Sequence, residues 1–247
     1  STQSRSSAAS DVYKRQMKPM ALLEVICLHE HDAKRAAAGG ADRIELVGTM
    51  DDGGLAPSPE LLARTLSAVH IPVRPMLRLD GGFRADPRRR DEILRLASAY
   101  RDLGADGPVL GFLDEATGVD VETVIELTEG CQRWTFHRAI DNCLEPDKAW
   151  AQLLGLHGLD QVLTAGSPRG VEHGLDDLIA RASADLRVAD LIMAGGGLRA
   201  EHVPWLYRAG VRAFHIGSPA RPQGSWKAWV DADLVRSWRD LLDRLAG

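Results

Sequence analysis

The chain has 247 residues, 45% of them hydrophobic and 26% charged, with a formal net charge of −5. That length can bury a large core, and the mild acidity offers nothing to attract nucleic acid or another polyanion. No run approaches the roughly 18 apolar residues that span a bilayer, and Cys27, Cys131 and Cys143 lack CxxC spacing, which points to a reducing, cytoplasmic setting.

Residues 1–19 are rich in Ser with scattered Arg and Lys, lack the apolar stretch of a signal peptide, and read as a flexible leader. Residues 20–247 read as one domain in which short apolar runs alternate with helix-length segments. A strand at 22–27 is followed by a helix at 32–38 that Gly39-Gly40 stops, then a strand at 43–47 and a helix at 57–70. Pro72 introduces a strand at 73–79, ahead of a helix at 90–103, a strand at 107–113 and a helix at 121–129. Strands at 134–140, 161–164, 191–194 and 213–216 then alternate with helices at 146–156, 176–184, 200–209 and 232–245. Eight strand–helix pairs are the count of a (β/α)8 TIM-like barrel. A doubly wound open sheet is the alternative, disfavoured because no GxGxxG phrase follows the first strand.

Barrel strands are covered on both faces and should be nearly continuous apolar sequence. Here Glu24, Glu45, Arg74, Arg78, His137 and His215 interrupt five of them, and Arg138, Asp141 and Thr164 sit at or just past strand ends. Period-two alternation puts Glu24 with Ile26, Arg74 with Met76 and Arg78, and Thr135 with His137. Buried carboxylates need partners, so Glu24 and Glu45 call for the arginines, the histidines or a bound cation. Two carboxylates with imidazoles suffice for proton abstraction and return, which makes Glu24, Glu45, His137 and His215 catalytic candidates. Glu24, Glu45 and His137 equally suit a divalent metal. Arg74, Arg78 and Arg138 would hold an anionic or hydroxyl-rich ligand, and Asp141 would orient an imidazole or cap a turn. None of the five lysines lies in a strand, which argues against Schiff-base chemistry.

Glycine phrases follow strands two, three, seven and eight. Gly195, Gly196 and Ser218 occupy the corner where barrels often bind phosphate, and with Thr164 they complete the candidate ligand set. Trp226, Trp229 and Trp238 are expected to seal the last helix or meet a second subunit.

Several phrases together resemble the CutC family, the so-called copper homeostasis proteins: Gly40-Ala41-Asp42-Arg43-Ile44-Glu45-Leu46, Ile71-Pro72-Val73-Arg74-Pro75-Met76-Leu77-Arg78, Thr135-Phe136-His137-Arg138-Ala139-Ile140-Asp141 and Ile192-Met193-Ala194-Gly195-Gly196-Gly197. The resemblance covers most of residues 20–220 and implies a cytoplasmic, dimeric TIM-like barrel linked to copper. Cys27 matches one cysteine invoked for copper binding in the family, but Val47 stands where many relatives carry a second. Asp80 likewise replaces an arginine usual after the third strand. The sequence leaves three readings open: an acid–base enzyme of isomerase, epimerase or lyase type acting on a small polar or anionic molecule, a protein that binds copper or another metal, and a non-catalytic interaction protein with structural ion pairs.

Overall fold

The structure, a computed structural model, describes residues 21–247; the predicted leader at 1–19 lies outside them. Eight parallel strands alternate with helices: β1 (Leu22–Cys27), β2 (Arg43–Leu46), β3 (Val73–Pro75), β4 (Val109–Leu110), β5 (Trp134–Phe136), β6 (Leu159–Thr164), β7 (Ile192–Ala194) and β8 (Ala213–Ile216). Their hydrogen-bonded order is β3-β2-β1-β8-β7-β6-β5-β4. A single parallel bridge, Met76 with Val109, joins β3 to β4 and brings the sheet round into a barrel, and there the Leu77 N–H donates to the Val109 carbonyl at 2.7 Å.

The helical layer comprises α1 (Glu30–Gly39), α2 (Pro59–Ala68), α3 (Arg90–Asp102), α4 (Val121–Thr128), α5 (Pro146–Leu153), α6 (Val171–Ala184), α7 (Leu186–Leu191), α8 (Val203–Arg208) and α9 (Ala232–Ala246). Local chemistry sets their ends. Ser58 and Asp231 cap α2 and α9 through side-chain oxygens, while Gly40 ends α1 at φ 96° with its N–H on the Ala36 and Ala37 carbonyls. Among the described residues no helix is long and apolar enough to cross a membrane.

Alternation along each strand divides the molecule into two interiors. Outward side chains such as Leu23, Val25, Ile44, Leu46, Phe136, Val162 and Phe214 are fully buried in one large core against the helices. Each such side chain contributes about 1.5–3 kcal/mol by leaving water. Inward side chains are different: Glu24, Arg43, Glu45, Arg74, Thr135 and His215 are buried inside the barrel, beside a small apolar cluster of Leu163, Met193 and Ala213.

Three strands and one helix differ in extent from the sequence expectation. The strands expected at 73–79, 107–113 and 134–140 stop early, because the residues beyond Pro75, Leu110 and Phe136 leave their neighbours to shape the loops at the C-terminal end. The single helix expected at 176–184 begins earlier and gains α7, since extended Asp185 breaks the helix and recaps it through the Arg187 N–H. A six-residue segment such as Leu186–Leu191 is too short for periodicity to separate helix from strand.

Candidate active site at the barrel mouth

Four buried side chains form the polar heart of the barrel. The registers place Glu24 beside Arg43 on one side and beside His215 on the other. Arg43 Nε donates to one carboxylate oxygen of Glu24, and His215 Nδ1 donates to the other at 2.8 Å. His215 Nε2 then lies 3.5 Å from Glu45 Oε2, so His215 stands between two carboxylates. Burial alone would raise the Glu24 carboxyl, but Arg43 and His215 outweigh it and hold the pKa at about 2. Glu45 lacks an arginine partner at hydrogen-bond distance. Burial, reinforced by the Glu24 charge, pushes it to about 7 despite His215 and Arg43. Burial opposes protonation of His215, yet Glu45 and Glu24 prevail and raise it.

Above this group opens a cavity of about 410 Å³ at the C-terminal ends of the strands. Glu45, Arg78, His137, Arg138, Gly196, His215 and Ser218, all expected from sequence, line it. Among the described residues Glu45 Oε1 is buried with no hydrogen-bond partner, and so is His137 Nε2. Unpaired buried polar atoms are costly in a folded protein, and these two belong to the walls of one cavity.

His137 caps the 3-10 turn Arg138–Asn142 by accepting the Ala139 N–H on Nδ1 at 3.2 Å. Nδ1 therefore carries a lone pair, and the neutral ring bears its proton on Nε2. Burial first, and Arg78 second, pull its pKa to about 3, so near neutrality His137 is an uncharged N–H donor. Phe83 packs edge-on to the ring with centroids 5.5 Å apart. Gly111 supplies the space, since a Cβ there would come within 2.5 Å of His137 Nδ1.

Arg78 is held by backbone alone. It donates to the carbonyls of Gly82 (3.0 Å), Asp52 (2.8 Å) and Gly54 (3.4 Å), makes no ion pair among the described residues, and lies over Phe83. Asp52 reaches this pose with a left-handed φ of 50°, strain of the kind that collects at binding sites. Arg138 is pinned instead by Asp141 (2.7 Å) and the Ser167 and Pro168 carbonyls, with its guanidinium laid on Gly196.

Other expected residues lie elsewhere. Glu24 is beneath the cavity, behind His215. Arg74 is not at the mouth: its guanidinium forks onto Asp160 at 2.6 and 2.7 Å and bonds Asp106 and Thr135 near the opposite, N-terminal end. Asp141 orients no imidazole; burial raises its pKa, and it binds Arg138, the Thr164 hydroxyl and the Ala165 N–H. Thr164 is spent on that contact. Gly195 makes room for His215, whose Cβ a side chain there would meet at 2.9 Å. Cys27 points outward into the helical core, fully buried, and burial raises its thiol well above the ordinary value. Sequence reasoning missed Asp52, Phe83 and Trp226 as wall residues. Trp226 packs on Gly217, under the guanidinium of buried Arg221, and nothing local in its sequence signals that return to the mouth.

The CutC family pattern matches residues 21–219. A CutC family protein of Klebsiella pneumoniae subsp. pneumoniae is 38% identical over 234 residues, covering 89% of this chain and 92% of that one. This chain belongs to the CutC family. A second CutC family protein, from an Enterobacter species, is 38% identical over 210 residues, covering 84% of this chain and 82% of that one. The CutC crystal structure from Streptococcus agalactiae, described as a candidate copper homeostasis protein, has a TM-score of 0.71 and 26% identity over 80% of this chain and 98% of that one. Phosphoribosyl anthranilate isomerase from Thermococcus kodakaraensis, at TM-score 0.59 and 15% identity over 91% of this chain and 98% of that one, shares the fold alone.

The copper associated with CutC is a soft ion that seeks thiolates when reduced. In this CutC barrel donor atoms of Glu24, Glu45 and His215 lie within 4.8 Å of one another, a spacing a metal ion would accept. The donor set nevertheless does not fit copper. It contains no sulfur, both Glu24 oxygens are occupied by Arg43 and His215, and the Arg43 cation sits against the group. Cys27, the cysteine that the family resemblance offers for copper, is fully buried in the outer core on the helical side of its strand.

Proposed function

We propose that the mouth of this CutC-family barrel is an acid–base active site for a small anionic molecule, working without a resident metal. One observation carries the reading: Glu45 and His137 line the same cavity and each holds a buried polar atom without a partner among the described residues, one a carboxylate with a pKa of about 7 and the other a neutral N–H donor. A general base works best with a pKa near the operating pH, and perturbed groups that converge in a cleft mark sites of chemistry. Arg78 supplies the charge that draws an anion in, since no carboxylate among the described residues bonds it. Glu24 takes no part in contact; it holds His215, which stabilises the charged form of Glu45.

Calorimetric titration with oxalate tests the reading. Wild-type protein binds, and Arg78→Ala weakens binding by ten- to a hundredfold, the worth of one charge-assisted hydrogen bond of about 1.5–3 kcal/mol. Binding that is absent in the wild type, or unchanged in Arg78→Ala, overturns it.

A further inference from the structure

The charge balance of the cavity and the chemistry of its two unpartnered atoms narrow both substrate and reaction. Two guanidinium groups reach the cavity, but Asp141 already neutralises Arg138, whereas Arg78 bonds only carbonyl oxygens. The Asp52 carboxylate lies by Gly81 in an exposed loop of the cavity wall and makes no bond to Arg78, although its charge favours the guanidinium cation. A guanidinium bonded by no carboxylate among the described residues suits one negative end, and a planar carboxylate matches its fork. A cavity of about 410 Å³ sits at the small end of ligand sites, which restricts the occupant to a short chain.

The reactive groups then set the chemistry. A carboxylate with a free, buried Oε1 can remove a proton from carbon only if the resulting charge has somewhere to go. The neutral imidazole of His137 provides that place, because its Nε2–H has no acceptor among the described residues and a nearby oxygen would satisfy it. Fixed donors aimed at developing oxyanions are among the largest contributors to catalysis, and an uncharged imidazole is a donor whose acidity suits an enolate.

Resting on the acid–base reading above, we propose that the site enolises a short 2-oxo acid. Arg78 holds the carboxylate and the keto oxygen accepts the His137 Nε2–H. Glu45 Oε1 takes the proton from the carbon next to the carbonyl. The C–H bond breaks, its electron pair forms the C=C bond of the enolate, the carbonyl π pair moves to oxygen, and the proton rests on Glu45 until it is returned to carbon. No oxidant or co-reactant is needed. His215 lies under Glu45 as the positioning group, at 3.5 Å.

Oxalate, a planar mimic of such an enolate, and malonate, a flexible dianion of equal charge, are titrated by calorimetry against wild type, Glu45→Gln and His137→Phe. Oxalate binds at least tenfold more tightly than malonate to wild type, and that margin vanishes in His137→Phe. Binding of oxalate at pH 8 takes up a proton in wild type, as the enolate state requires a protonated Glu45, and takes up none in Glu45→Gln. The 15N-attached Nε2 proton of His137 in wild-type protein moves downfield on adding oxalate, a readout that needs no variant to fold. Equal binding of the two anions, a margin that survives loss of His137, or an unmoved Nε2 proton overturns enolisation and leaves the anion site standing. Failure of both anions to bind overturns both readings.

Discussion

Glu45 on β2 and His137 just past β5 line one cavity from elements that are not neighbours, and each holds a buried polar atom without a partner among the described residues. Of the nine such atoms among the described residues, these two alone belong to residues of the cavity wall. Two of them in one cavity, with Arg78 beside them held only by carbonyls, describe a site preorganised for something that is not protein.

The two histidines of the mouth should behave oppositely. His137 is pulled to about 3, first by burial and then by Arg78, so its unfolded form takes a proton near 6.5 while the folded form refuses it. The stability contributed by its neutral form is therefore whole above pH 6.5 and is lost as pH falls toward 3. His215 is raised, so its contribution is present below 6.5 and is lost as pH rises through its folded value. Ring NMR signals of His137 should stay fixed from pH 8 to 4.5, while those of His215 titrate with a midpoint above the ordinary histidine value. A His137 that titrates near 6.5 would contradict the buried, neutral assignment.

Arg74 supports the fold from the N-terminal end. Arg74→Ala leaves Asp160, Asp106 and the Thr135 hydroxyl without their shared partner and should cost about 3 kcal/mol, the low end for breaking a buried ion pair because Asp160 is partly exposed. Denaturant unfolding measures the loss, and calorimetry on the folded variant should find oxalate affinity unchanged.

Gly196 carries a φ of +87°, and a Cβ there would fall 2.7 Å from the Arg138 guanidinium. Gly196→Ala should destabilise by about 1–3 kcal/mol through backbone strain and displace Arg138 from Asp141. Thermal unfolding reads the first effect, and the Arg138 Nε proton signal, which reports its bond to Asp141, reads the second.

Copper gives the fourth prediction. Cys27 is buried in the helical core with its thiol pKa raised, and the mouth offers oxygen and nitrogen donors beside a fixed cation. Competition with a copper(I) chelator should therefore show the same weak binding in wild type and Cys27→Ser. A clear loss of affinity in the variant would restore the thiolate site.

How much of this was legible in the sequence follows from the physics of each position. The barrel was, because eight strands with apolar outward faces leave a periodic trace and glycines such as Gly40 punctuate it. The interior polar residues were too, since Glu24, Glu45, His137 and His215 interrupt runs that should be greasy. Which end of the barrel an inward side chain reaches was not. Arg74 and Arg78 share a face by parity, yet Arg74 turns to Asp160 and Arg78 to loop carbonyls, a choice made by partners far along the chain. Asp141 was left between orienting an imidazole and capping a turn for a related reason: it lies four residues from His137, but the 3-10 turn swings it to Arg138 and Thr164. Cys27 follows from the alternation itself, as an odd neighbour of inward Glu24 and Ile26.

The ionisation of Glu45 tests the account most directly. With the Glu45 side-chain carboxyl labelled with 13C, its NMR signal should titrate with a midpoint near 7, and saturating oxalate should move that midpoint upward. A carboxyl that titrates near the ordinary 4.5 and ignores the anion would contradict an acid–base site at the mouth.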